Sequence, residues 1–87
     1  MMTKTEKFLL PKRLQEKVIL GGETGMQWTC VRVILKNGKV FKNVRVSYGD
    51  EISAVYGYRA IPFEIKDIKD IVVTHREDYP KNFKGFV

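Results

Sequence analysis

Apolar and polar residues alternate along two neighbouring stretches of this chain, residues 26–35 and 39–48. A period of two is typical of a β-strand that buries one of its faces. Asn37 and Gly38 lie between the two stretches, and both residue types tolerate the positive φ angles of a tight hairpin turn. The pattern therefore predicts a β-hairpin.

The register of this hairpin stays open at the level of sequence. A two-residue loop would pair Lys36 with Lys39, which places two like charges opposite each other. A three-residue loop with Gly38 in the left-handed region would pair Leu35 with Lys39 instead.

The rest of the chain predicts shorter elements on either side of the hairpin. A helix over residues 11–20 is indicated by Pro11, which suits a first helical turn, and by Leu14 and Val18 on one face. After the hairpin we expect a third strand, a fourth strand, a 3₁₀-like turn and a fifth strand, over residues 52–56, 60–63, 64–68 and 70–75. Five short strands bury a core only by curling on themselves. The predicted fold is mainly β, a five-stranded SH3-like small barrel with a short N-terminal helix and a single helical turn before the last strand.

Length and composition set the domain organisation. The chain has 87 residues, which is enough for one domain. Its single cysteine cannot form an internal disulfide. We expect a flexible N-terminus over residues 1–10, the helix and barrel over residues 11–76, and a tail over residues 77–87. The tail contains Tyr79, Phe83 and Phe86, which would pack back on the barrel or dock on a neighbouring subunit. The lack of a long apolar run favours a cytoplasmic protein with no membrane partner.

One motif carries a resemblance to a known family. The segment Val31-x-Val33-x-Leu35-x-Asn37-Gly38-x-x-Phe41 is similar to the first motif of Sm-like proteins, which include bacterial RNA chaperones. Asp50 falls near the aspartate that ends that motif, and Asn43 stands near the position of a family glycine. Tyr58-Arg59-Ala60 stands roughly where the family has a basic or glycine-containing signature. The resemblance implies a ring-forming protein that binds RNA.

Positive charge is concentrated in the hairpin. The formal net charge is +6, and residues 26–48 contain no acidic residue but the following five basic ones: Arg32, Lys36, Lys39, Lys42 and Arg45. A cluster of one sign suits phosphates or an acidic partner. The alternative interpretation is that lysines keep a small β protein soluble and protect its edge strands from pairing.

A second candidate cluster is Tyr56-Gly57-Tyr58-Arg59. Exposed tyrosines beside an arginine can stack and orient bases, and the glycine would let the backbone approach a ligand. Alternatively, the tyrosines fill the barrel core or cover its open end. Together the two clusters predict a nucleic-acid interface for single-stranded RNA or DNA.

No pattern in the chain indicates catalysis, a metal site or a cofactor. His75 has no nucleophile pattern beside it, and Cys30 is expected to be a buried, inert thiol. Acidic residues around the 3₁₀-like turn alternate with lysines, which favours a solvated turn over a cation site. We therefore expect a non-enzymatic protein. The alternative to nucleic-acid binding is a protein-interaction or assembly module, homo-oligomeric or with a protein partner, that uses strand edges and the aromatic tail.

Overall fold

The computed structural model describes residues 8–75 of the chain, and within them residues 12–73 form one helix, one 3₁₀ turn and four strands. The expectations for residues 1–7 and for the tail with Tyr79, Phe83 and Phe86 lie outside the described residues. The elements are α1 (Lys12–Gly21), β1 (Trp28–Leu35), β2 (Val40–Ser47), β3 (Glu51–Val55), the 3₁₀ turn (Ile65–Asp67) and β4 (Ile68–Val73).

The strands form one antiparallel sheet in the order β3-β2-β1-β4. The mainly β fold and the short helix are confirmed, but the prediction of five strands is wrong for the described residues. Residues 60–63 form no strand, because Pro62 lacks an N–H and Phe63 is instead buried against the ring of Phe41. Since β3 and β4 lie at the two edges of the sheet, the sheet is open and the barrel is not closed.

The hairpin has the three-residue loop of the two alternatives. The Leu35 N–H donates to the Lys39 carbonyl at 2.8 Å, and the next pair along the strands is Ile34 and Val40. Gly38 has a φ of 93°, which a residue without a Cβ adopts without strain. The loop therefore avoids the pairing of two lysines.

A β-bulge at Asn43 changes which residues of β2 face the core. The register steps from Val33 opposite Phe41 to Val31 opposite Val44, so one extra residue is accommodated on β2. Asn43 has a φ of 55°, in the left-handed region that asparagine tolerates better than most residues. Phe41 therefore packs against the core before the bulge, and Val44 does so after it.

The core lies on one side of the sheet, which we call the inner face. Val31 and Val33 of β1 meet Ile71 of β4 there, and α1 adds Leu14 and Val18. Leu14 and Val18, four residues apart, thus lie on the same face of α1, as predicted. The opposite side, which we call the outer face, contains Trp28, Cys30 and Arg32 of β1 with Lys42 and Arg45 of β2, by alternation from the buried neighbours.

Candidate nucleic-acid interface

A groove opens where β2 extends beyond its neighbour β3. The last paired residue of β3 is Val55, opposite Val44, and the chain then turns back over residues 56–58. This turn is held by two backbone hydrogen bonds, from the Tyr56 N–H to the Asn43 carbonyl at 3.2 Å and from the Tyr58 N–H to the Val55 carbonyl at 3.0 Å. We call this space, of about 330 Å³, the aromatic groove; it is lined by Val40, Phe41, Lys42, Asn43, Val55, Tyr56 and Tyr58.

The aromatic rings of the groove are anchored to the core through Phe41. The Phe41 ring meets Tyr58 edge to face, with centroids 5.7 Å apart and an interplanar angle of 68°. On its other side Phe41 lies 5.2 Å from the ring of Phe63. Tyr58 remains 44% exposed and Tyr56 is half-buried, so the two tyrosines form part of the surface rather than the centre of the core.

Three of the five predicted basic residues follow the hairpin from its loop to the groove. Lys36 and Lys39 are exposed at the loop, and Lys42 is exposed where β2 lines the groove. The loop backbone is held by the Lys36 N–H, which donates to the Asp67 carbonyl, and by the Lys39 N–H, which donates to Asn37 Oδ1, both at 2.9 Å. The flexible lysine side chains are thus presented from an ordered backbone.

The remaining predicted site residues lie elsewhere. Arg32 and Arg45 are half-buried on the outer face, and the Arg45 guanidinium stacks 4.8 Å from the ring centroid of Trp28. Arg59 is exposed beyond Tyr58 and is not part of the groove lining. The structure therefore brings together Lys42, Tyr56 and Tyr58 in the groove, and it places Arg32 and Arg45 on the outer face of the sheet, outside the groove lining.

Sequence reasoning missed four residues of the groove lining, and two of them, Phe41 and Asn43, shape it most. In the sequence Phe41 stands out only as part of a strand motif, although it is the ring on which Tyr58 packs. The signal for Asn43 is present, since an asparagine inside a β-rich run coincides with a break in the apolar alternation at Lys42. Such a break is typical of a bulge.

A small cluster of hydrogen-bonded side chains lies near the start of β1. Cys30 is fully buried, as expected, and its Sγ donates to Asn43 Oδ1 at 3.6 Å. The Cys30 N–H donates to Thr24 Oγ1 at 2.8 Å, and that oxygen lies 2.6 Å from His75 Nδ1. His75 follows the end of β4 and is half-buried, with its ring bonded to Thr24.

Two of the acidic residues around the 3₁₀ turn, Asp70 and Glu64, have lysine partners. Lys17 of α1 donates to Asp70, and this hydrogen bond, with that from the Ile71 N–H, lowers the pKa of the Asp70 carboxyl below its usual 3.8. Lys66 Nζ lies 3.5 Å from Glu64 Oε1. Among residues 8–75 no group of three His, Cys, Asp or Glu side chains could hold a metal ion.

Comparison of the chain with protein-family models, with curated proteins and with solved structures finds no match. Within the described part of the chain, no helix is long and apolar enough to cross a membrane.

Proposed function

We propose that the protein is a non-enzymatic binding domain for single-stranded RNA or DNA. The observation that carries this proposal is the aromatic groove, in which the charge of Lys42 lies beside the surface rings of Tyr56 and Tyr58. Single-stranded nucleic acids are bound by this combination, because cations follow the backbone while aromatic rings stack on bases of any sequence.

The charge around the groove supports the same function. Lys36 and Lys39 extend the positive surface from Lys42 to the hairpin loop, and Arg32 and Arg45 extend it over the outer face. In this proposal the three exposed lysines contact phosphates directly. The half-buried Arg32 and Arg45 attract the strand through their positive potential. Tyr56 and Tyr58 stack bases, and Arg59 orients the strand where it leaves the groove.

The resemblance of residues 31–41 to the first Sm-like motif supports an RNA ligand. In that family a glycine stands near the position of Asn43, and here Asn43 takes a left-handed φ of 55°, which glycine adopts most readily. The proposed relationship is to the small SH3-like and Sm-like barrels, with a sheet that is open in the described residues. A homo-oligomer is part of what this relationship implies.

Fluorescence anisotropy with labelled single-stranded oligomers across a salt series tests the proposal. We expect binding that weakens steeply with salt, because phosphate contacts release counterions. Lys39→Glu with Lys42→Glu should weaken binding to all sequences alike and flatten the salt slope by about 0.7 for each phosphate that the variant no longer neutralises. Tyr58→Ala should weaken binding by roughly the 1–3 kcal/mol of one stacked base with little change in that slope.

A matched control is Lys12→Glu with Arg13→Glu on α1, which changes the net charge by the same amount at two exposed positions. We expect this variant to retain most of the affinity. An equal loss of affinity in both double variants would show that the effect comes from net charge alone. Absence of binding at low salt, where electrostatic attraction is strongest, would contradict the proposal.

A protein-interaction module is the second candidate, and exposed apolar side chains favour it. Leu20 is 87% exposed, Met26 is 85% exposed and Tyr48 is 69% exposed. Concentration-dependent sedimentation would test its assembly form: Leu20→Ser with Met26→Ser should abolish self-association. A wild-type protein that sediments as a monomer at all concentrations would exclude that form.

A further inference from the structure

The outer face of the sheet contains residues that are buried although they face away from the core. Cys30 belongs to the outer face, because its neighbour Val31 faces inward, yet Cys30 is 0% exposed. Asn43, whose side chain contacts the Cys30 thiol, is only 2% exposed. Two fully buried neighbours on the side of a sheet opposite its core require cover from above that side.

The burial follows a strip across the middle of the outer face. Trp28, Arg32 and Arg45 around Cys30 are half-buried. Further out on the same face, Val40 is 48% exposed and Val72 is 42% exposed. Helix α1 does not supply the cover, since its buried residues pack into the core on the inner face. We call this region, made of Trp28, Cys30, Arg32, Asn43 and Arg45, the covered strip.

We propose that residues 77–87 of the same chain dock on the covered strip. The chain reaches this place at His75, whose N–H donates to the Cys30 carbonyl at 2.8 Å. Twelve residues follow His75 in the sequence. Fully extended, they span about 40 Å, which exceeds the roughly 27 Å length of an eight-residue strand such as β2.

The chemistry of this segment complements the strip. Glu77 and Asp78 come first and match the positive charges of Arg32 and Arg45. Three aromatic residues follow at Tyr79, Phe83 and Phe86, and large apolar rings would exclude water from a buried thiol.

The other terminal segment fits less well. Leu9 bridges to Glu51 and the Leu10 N–H donates to the Asp50 carbonyl, so the chain enters at the β3 edge of the sheet, two strands away from Cys30 on the side remote from β4. Its first seven residues contain two lysines and one glutamate, a formal side-chain charge of +1 that the arginines of the strip would repel. Residues 77–87 also contain two lysines, but these are balanced by Glu77 and Asp78, which come first where the chain leaves the sheet. The proposal therefore commits to residues 77–87.

The sole cysteine makes the proposal testable without any ligand, so it stands independently of nucleic-acid binding. A chain ending at Arg76 should react with a thiol reagent such as dithionitrobenzoate roughly tenfold faster or more than the full chain under native conditions, because Cys30 loses its cover. The synthetic peptide 77–87, added in excess, should restore protection. A matched control that lacks residues 2–7 should react as slowly as the full chain.

An equally slow reaction in the folded, shortened chain would overturn the proposal, because residues 8–75 would then bury Cys30 alone. Should the shortened chain fail to unfold cooperatively in urea, the full chain with Phe83→Ala and Phe86→Ala gives the same readout. Faster thiol reaction in that variant supports docking, and an unchanged rate refutes it. Protection in the full chain that rises with protein concentration would show that a second copy supplies the cover, which also contradicts the proposal.

Discussion

The inner and outer faces of this sheet are built by different rules. On the inner face Val33 of β1 and Ile71 of β4 are fully buried, and each contributes only apolar volume. On the outer face, buried Cys30 and Asn43 bond to each other while Arg45 stacks on Trp28. An apolar face tolerates any residues of suitable size, whereas a polar face depends on particular partners and backbone angles. The inner face therefore stabilises the fold, and the outer face is available for a specific function.

Neighbouring residues of β4 give the largest test of this difference. Ile71 is fully buried on the inner face, whereas Val72 is 42% exposed on the outer face. Ile71→Ala should lower the free energy of unfolding by about 2–5 kcal/mol, because it removes buried methyl groups and leaves a cavity. Val72→Ala should change it by only about 0.5 kcal/mol. Urea unfolding measures both, and similar losses in the two variants would contradict the assignment of faces.

A second test concerns the bulge that separates the two faces of β2. Asn43 has a φ of 55°, where a residue with a Cβ and no local hydrogen bond is strained. Asn43→Ala should therefore destabilise the protein by about 1–2 kcal/mol, and Asn43→Gly should recover roughly 1 kcal/mol of that loss. Urea unfolding of both variants gives the comparison. Alanine and glycine variants of equal stability would show that the strain at the bulge is no larger than the entropy that glycine loses on folding.

Much of the fold was predictable because its signals are local. The Asn37-Gly38 pair indicated the hairpin, and the spacing of Leu14 and Val18 indicated α1. The predicted strand over residues 60–63 failed because apolar content alone does not form a ladder. Pro62 lacks the donor, and Phe63 is buried better against a ring than in a strand.

The candidate site was predictable in its residue types and not in its grouping. Lysines and tyrosines stood out by composition, but Lys42 joins Tyr56 and Tyr58 only because β3 ends at Val55 and the chain turns back there. Whether Arg32 and Arg45 share a face with Lys42 depends on the bulge, which shifts the alternation by one residue. A pattern of strict period two cannot show this.

A third test extends the comparison to the end of β2. The backbone of Ser47 is extended there, whereas that of Tyr48 is in the left-handed region. Tyr48 has a φ of 55° and is 69% exposed, so its side chain gains little from burial. Tyr48→Gly should raise the free energy of unfolding by about 0.5–1 kcal/mol, because relief of strain exceeds the entropy that glycine loses on folding. Ser47→Gly, inside the strand, should lower it by about 0.5–1 kcal/mol. Thermal unfolding measures both, and a destabilised Tyr48→Gly variant would show that the ring makes contacts worth more than the strain.

The smallest effect on stability is expected where α1, on the inner face, contacts the edge strand β4 through Lys17 and Asp70. The Lys17 hydrogen bond, with that of the Ile71 N–H, lowers the pKa of Asp70 below 3.8, and the side chains of Lys17 and Asp70 are 48% and 39% exposed. A carboxyl whose pKa is lower in the folded state contributes stability above its unfolded pKa and loses that contribution as the pH falls through the folded pKa. Asp70→Asn should therefore cost only about 0.2–1 kcal/mol at pH 7 and nothing once the pH lies below the folded pKa. Urea unfolding between pH 7 and pH 2 measures this difference. Lys17→Met should reduce this pH dependence, leaving the part due to the Ile71 N–H, and Glu64→Gln should retain it in full. An Asp70→Asn penalty that persists at pH 2 would assign the effect to the amide's own contacts.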